Sequence, residues 1–468
     1  MAEAIAFDIA GGLASKLSSL AFSQIGLWWN FKDDIEDLKN TISTIKAVLL
    51  DAEEQSMTSN LVKNWLEKLK DALYDADDLL DDFSTEALRK DLLSGNKLTK
   101  ELKISNLTEL ECMEDHGPNG GQGDTESFFP SLKVLRLWNC PNMKSWWRTT
   151  KPIDDDSNED DTTVIRASTM AFPCLSSLDI KYCPLTSMPL YPSLNEKLKL
   201  VNTSSRPLKQ TIKMSITSTT PSTSTSSLPL SKLKSFHAEN IEGLDTHMLD
   251  DCLQNMTSLE RCFIDSCHLL LSLSGWQQHL IGLKTLIIKD CKEVDLEGMQ
   301  WEPLKNLSCL VIDNIPKLVS LPIGIQHLVE LKSLEIRNCS GLRSLFPVFQ
   351  HLTSLEEFSI RNCNELELSA AGMQIFQDYT SLRALWLETI PKCQRLPEWL
   401  QHLTNLQLLY LVDLPNLTSL PDEMRCLTSL EELCIRQTPQ LEERCRKDIG
   451  ADWHKIAHIA TVTIEDFQ

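Results

Sequence analysis

Residues 331–339 read LKSLEIRNC. Leu331, Leu334 and Ile336 fall at steps of three and then two, a rhythm that no helix produces and that ends in the alternation of a short strand. The same figure stands 24 residues earlier at Leu307, Leu310 and Ile312, and 24 later at Leu355, Phe358 and Ile360. Leu382, Leu406 and Leu430 repeat it 24 residues apart from one another, further copies start at Leu132, Leu175, Leu233, Leu259 and Leu283, and weaker ones lie near Leu98 and Ile459. A single copy cannot bury its own apolar side chains, whereas stacked copies share one continuous core. Residues 98–468 therefore predict a solenoid of short parallel strands, with Leu and Ile inward and the residues between them on an open concave face.

Written out, the figure is L-x-x-L-x-L-x-x-N/C-x-L, the leucine-rich repeat pattern. Cys140, Cys183, Cys267, Cys291, Cys339 and Cys363 hold its N/C position. The 15 cysteines are odd in number, all follow residue 97 and form no C-x-x-C pair, which predicts buried, reduced thiols rather than a disulfide framework or a metal ladder. Leu321-Pro322, Leu396-Pro397 and Leu420-Pro421, with Phe346-Pro347 as a variant, predict corners that turn the chain toward the convex side. Loop insertions are expected near 114–127, 150–169 and 203–229. The first is Gly-rich, the second contains DDDSNEDD at 154–161, and the third contains SITSTTPSTSTSS at 215–227. The acidic one lacks the spacing and glycine of a calcium loop.

Residues 1–95 follow a different period. Ile35, Leu38, Ile42, Ile45, Leu49 and Ala52 recur at helical steps, as do Val62, Trp65, Leu66, Leu69, Leu73, Ala76, Leu80 and Phe83, and a weaker run joins Ile5, Ile9, Leu13, Leu17 and Leu20. A small antiparallel helical bundle is expected ahead of the solenoid. Its last helix contains LYDADDLLDDF at 73–83, where like charges crowd onto i,i+3 and i,i+4 positions at a cost of about 0.2–0.5 kcal/mol each. Either water or a basic partner takes up that charge.

Lysine and arginine total 45 against 66 acidic residues, a net charge of −21, which speaks against nucleic acid as the main partner. Glu3, Asp8 and Lys16 break up the apolar start, and no later run reaches the roughly 18 apolar residues of a membrane span, so a soluble intracellular chain is expected. On that reading the Asn-x-Ser/Thr triplets at Asn106, Asn202, Asn255, Asn306, Asn338 and Asn416 are not glycan sites. No G-x-x-x-x-G-K-[ST] loop cradles a phosphate, and no Ser, Cys and His arrangement singles out a nucleophile and base. The recurring Gln-His-Leu at His279, His327, His351 and His402 reads as surface histidines.

MAEAIAFDIAGGLASKL (1–17), AVLLDAEEQ (47–55), VKNWLEKLKDALYDADDLLDDF (62–83) and STEALRKDLLSG (84–95) together resemble the Rx-type N-terminal coiled-coil domain of plant intracellular nucleotide-binding leucine-rich-repeat disease resistance proteins. LKSLEIRNC, LTSLEELCIRQTPQLEERC (427–445) and DWHKIAHIATVTI (452–464) resemble the C-terminal repeats of the same receptors. In that family an acidic motif on the third helix docks on the repeats, often through arginines. Asp77, Asp78, Leu79, Leu80 and Asp81 are its counterpart here. The repeat spacing puts Lys289, Asp313, Arg337, Arg361, Glu388 and Arg436 in one outward row, with Arg337 and Arg361 side by side and Glu335 and Glu356 near enough to neutralise them. Lys289, Arg337 and Arg361 are thus the candidate basic contacts.

One departure from the family is large: SGNKLTKELKISNL (94–107) runs straight from bundle to repeats where a nucleotide-binding region should intervene. ADP or ATP, the family's cofactor, is not carried over. The resemblance implies a non-enzymatic plant defence protein, a truncated receptor relative, cytoplasmic or peripheral at the plasma membrane. Its repeats would bind a pathogen effector or a guarded host protein, and its bundle would signal or modulate by contact with its own repeats or with a full-length receptor in trans. A generic repeat scaffold and the non-functional product of a deleted resistance gene remain the alternatives.

Overall fold

The computed structural model describes residues 100–114, 131–147, 172, 174–185, 194–217, 228–273, 275–345, 351–368 and 381–465, and within the N-terminal segment 40–46, 48–49, 66, 68–69, 72–74 and 76. All of these N-terminal residues are helical, and Ile42, Leu49 and Leu73, three of the positions on the apolar stripes, are buried. The packing of the expected bundle lies outside the described residues. So do Asp77, Asp78, Leu79, Leu80 and Asp81.

The chain divides into two compact units, Met1–Cys174 with Tyr182–Met188, and Leu175–Lys181 with Pro189–Gln468. The first carries β1 (Glu101–Ser105), β2 (Cys112–Glu114), β3 (Val134–Trp138) and β4 (Ser145–Trp147), with β1 parallel to β3 and β2 parallel to β4. The second carries β5 (Ser177–Lys181), β6 (Lys197–Val201), β7 (Ser235–Glu239), β8 (Arg261–Asp265), β9 (Thr285–Lys289), β10 (Cys309–Asp313), β11 (Ser333–Arg337), β12 (Glu357–Arg361), β13 (Ala384–Glu388), β14 (Leu408–Val412), β15 (Glu432–Arg436) and β16 (Thr461–Glu465). Each pairs in parallel with the next.

In these strands the second and fourth residues point inward. Leu310, Leu334 and Phe358 are register partners, as are Ile312, Ile336 and Ile360, and none is more than 1% exposed. A slip of one residue would turn each row out to water, so the apolar pattern fixes the register. The residue after each of β5 to β15 swings the chain off the sheet through left-handed backbone, as at Asn314, Asn338 and Asn362 with φ of 51, 53 and 54°. Asparagine tolerates that conformation. Its amide also ties one turn to the next: Asn338 Nδ2 donates to Asp313 Oδ1 at 2.6 Å, and Asn362 Nδ2 to Asn338 Oδ1 at 2.8 Å. The N/C cysteines follow one position later and are buried, with the Cys339 thiol donating to the Arg337 carbonyl at 3.2 Å.

Pro322, Pro397 and Pro421 each sit at the start of a 3-10 turn, Ile323–His327, Glu398–His402 and Asp422–Cys426, so the Leu-Pro corners lead into the convex side. The Phe346-Pro347 variant is outside the described residues. One expectation needs correction. The stretch 203–229 is not simply a loop insertion, because its first half forms helix α1 (Arg206–Thr217), which packs against α2 (Thr246–Asn255). Leu208 is buried there and the Thr211 hydroxyl donates to the Pro207 carbonyl at 2.7 Å. The Ser/Thr-rich tail concealed a short apolar stripe that only a neighbouring helix makes worth burying. At the C-terminal end α3 (Pro439–Arg444) and α4 (Trp453–Ile456) lead to β16.

Candidate protein-binding face

Because the inward pairs fill the core, the first, third and fifth residues of each strand form three outward rows. On the fifth-residue row Arg337 and Arg361 are register partners, and Asp313 separates them from Lys289. The sequence-predicted cations are thus two neighbours and an outlier. All three are already engaged. Glu335, on the middle row, pairs with Arg337 and lies 3.7 Å from Arg361 Nε, while Glu388 lies 3.5 Å from that same atom. Lys289 Nζ meets Asp265 at 3.2 Å and Asp290 at 3.4 Å, and the hydrogen bond it donates to Asp265 raises its pKa.

The expectation that Glu356 also neutralises the arginines does not hold. It precedes β12 and pairs instead with Lys332 at 2.9 Å. Among the described residues Glu335 bridges the pair, since it stands two positions before Arg337 on β11 and diagonal to Arg361 on the next strand. Ion pairs this exposed contribute about 0.2–1 kcal/mol each and are screened by salt.

The middle row also holds aromatic side chains that the charge-led reading missed. His237 stacks on Phe263 at 5.4 Å and 23°, and Trp386 on Tyr410 at 5.6 Å and 14°. Burial lowers the His237 pKa even though Glu239 accepts its ring hydrogen bond at 3.1 Å. Tyr410 donates its hydroxyl to Glu432 at 2.8 Å, which raises the phenol pKa. The signal was present as an aromatic residue between two inward ones, in Leu385-Trp386-Leu387 and Leu409-Tyr410-Leu411.

No group of three His, Cys, Asp or Glu side chains among the described residues is placed to hold a metal, and none of their helices is long and apolar enough to cross a membrane. Burial pushes the thiols of Cys267 and Cys363 up to about 11 and those of Cys291 and Cys339 up to about 12, which keeps them protonated. Several of the Asn-x-Ser/Thr asparagines serve as rungs. Asn306 Nδ2 donates to the Ile281 carbonyl and Asn416 Nδ2 to the Pro391 carbonyl, each at 2.7 Å.

Comparison with known proteins matches two stretches of the chain. The Rx N-terminal domain matches residues 9–112, reaching past β1, and the leucine-rich repeats of RPS2-like plant disease resistance proteins match residues 230–364. Disease resistance protein RGA2 of Solanum bulbocastanum is 39% identical over 77 residues, 16% of this chain and 8% of that protein. Putative disease resistance RPP13-like protein 1 of Arabidopsis thaliana is 41% identical over 69 residues, 15% of this chain and 6% of that protein. The matched stretches thus span less than a tenth of these relatives. Among solved structures, the plant peptide hormone receptor RGFR1 in complex with RGF2 gives a TM-score of 0.37 at 16% identity, covering 57% of this chain and 43% of that one. The leucine-rich repeat domain of the type III effector XopL gives 0.32 at 19% identity, covering 66% and 85%. The chain therefore carries, within 9–112, a segment similar to the Rx N-terminal domain and, within 230–364, repeats similar to RPS2-like leucine-rich repeats, both of the kind found in plant disease resistance proteins.

Proposed function

We propose that this is a non-enzymatic defence protein whose repeats hold another protein on their outward strand face and whose N-terminal bundle modulates that binding. The observation that carries the reading is the division of labour in the strands. Inward residues carry the core, whereas most residues of the outward rows, with their stacked aromatics and shared ion pairs, stay within reach of solvent. A pathogen effector or a guarded host protein is the partner this implies, met in the cytoplasm or at the inner face of the plasma membrane.

The acidic run Asp77, Asp78, Leu79, Leu80 and Asp81 is proposed to dock on the row of Lys289, Arg337 and Arg361, in cis or on a full-length receptor. A docking carboxylate must compete with Glu335, Glu388 and Asp265 for these cations, so the gain per contact is a fraction of a kcal/mol. Pairing in trans with a receptor that supplies the nucleotide switch suits so weak a contact. Zero-length carbodiimide cross-linking of the full chain tests the docking: a link from the 75–82 peptide to Lys289 is expected, and Asp77→Asn/Asp78→Asn/Asp81→Asn should abolish it. Absence of that link, together with no co-precipitation of a full-length receptor relative, would remove the docking reading.

A further inference from the structure

We propose that the outward faces of β13 and β14 seat a partner segment that presents apolar side chains between two basic residues. The inference rests on the protein-binding reading above and names the chemistry of the partner. Among the strands of the second unit, β14 alone shows no charged or polar-uncharged residue other than a tyrosine outward: Leu408, Tyr410 and Val412, all half-buried. Trp386 adjoins it in register and stacks on Tyr410, which holds both large side chains in place before any partner arrives. Preorganised Trp and Tyr clusters inside a polar rim are where binding energy concentrates at protein interfaces.

The rim supplies the charge. On the first-residue row the order is Glu357, Ala384, Leu408, Glu432, so two carboxylates bracket two apolar residues. Among the described residues neither carboxylate has a cation within ion-pair distance: Glu432 accepts from the Tyr410 hydroxyl, and Glu357 from the Ser333 hydroxyl at 3.5 Å. The opposite rim is different, because Arg361 answers Glu388 there and Arg436 lies beyond Val412. Uncompensated negative charge is therefore confined to one side of the apolar patch. Three strand spacings separate Glu357 from Glu432, about 14 Å. An extended segment lying across the strands spans that distance with two basic residues about four positions apart and the apolar residues between them.

Selection of a displayed library of random dodecapeptides on the full chain tests this. The expected winners carry two Arg or Lys about four apart around aliphatic or aromatic residues. Tyr410→Ala should weaken them by about thirtyfold, and Glu357→Gln/Glu432→Gln, which leaves the apolar patch intact, by about two- to thirtyfold, an effect that shrinks in high salt. Circular dichroism of each variant checks the fold. Winners without a basic pair, or indifferent to both substitutions, overturn the proposal. If Arg337→Glu/Arg361→Glu abolishes binding instead, this site falls while the protein-binding reading stands; if no outward substitution affects any peptide, both fall. Sedimentation showing a dimer that Tyr410→Ala dissolves would make the occupant a second copy of the chain and also overturn the proposal.

Discussion

Replacing Asp452 with asparagine probes how the last turn of the solenoid is held. The carboxylate is 1% exposed, accepts from Arg444 Nε at 2.8 Å, meets Lys455 Nζ at 3.0 Å and takes the Leu420 backbone N–H at 3.1 Å. Burial by itself would push its pKa up. The hydrogen bonds from Arg444, Lys455 and Leu420 overcome that and hold it down at about 2, against an ordinary value of 3.8. At 1.36 kcal/mol per unit the carboxylate contributes about 2 kcal/mol at neutral pH. A folded value below the unfolded one sets the sign: the contribution is complete above about pH 4 and is lost as pH falls toward 2. Asp452→Asn keeps the size and one acceptor oxygen but loses the charge. It should be less stable by about 2 kcal/mol at pH 7, with the gap closing between pH 4 and pH 2. Urea unfolding followed by circular dichroism across that range measures the gap, and hydrogen exchange in residues 453–465 at pH 7 shows whether the loss is local to the cap. A gap that is absent at pH 7, or that stays the same down to pH 2, would refute the reasoning.

A methyl group added at Gly341 would run into the Pro316 carbonyl oxygen, which is backbone and cannot swing aside, so Gly341→Ala should cost roughly 2 kcal/mol or more in thermal unfolding. Thr389 has a φ of 50°, a left-handed position that strains a β-branched residue. Thr389→Asn should raise stability by a few tenths of a kcal/mol, offset in part by loss of the hydroxyl bond to Asp413 at 2.9 Å; a fall beyond about 1 kcal/mol in urea unfolding would show that the bond outweighs the strain. In an Ellman titration of the native chain, Cys174 and Cys426 should react promptly and the buried thiols only after unfolding, and rapid reaction of Cys267, Cys291, Cys339 or Cys363 would contradict their burial.

The inward residues were legible because their spacing is local: Leu334 and Ile336 sit two apart, and one strand is enough to say that they share a face. The Leu-Pro corners and the N/C cysteines were legible for the same reason. α1 was hidden, because Leu208 and Ile212 make a stripe too short to stand out beside a Ser/Thr-rich tail, and α2, against which it packs, lies well along the chain. The aromatic pair on the outward face was visible as letters but silent as a site. Charge drew attention to Arg337 and Arg361, whereas the stacking of Trp386 on Tyr410 depends on two strands meeting in register across 24 residues.

By itself the sequence determined that this chain coils into leucine-rich repeats and which side chains face the core, since an apolar figure of fixed period has one way to escape water. Only the tertiary structure decided who stands beside whom on the outside. Glu335 rather than Glu356 bridges the two arginines, and Asp452 reaches the Leu420 amide 32 residues away. Contacts between turns arise from register, insertions and side-chain reach together, and none of these is written in the spacing of a single repeat.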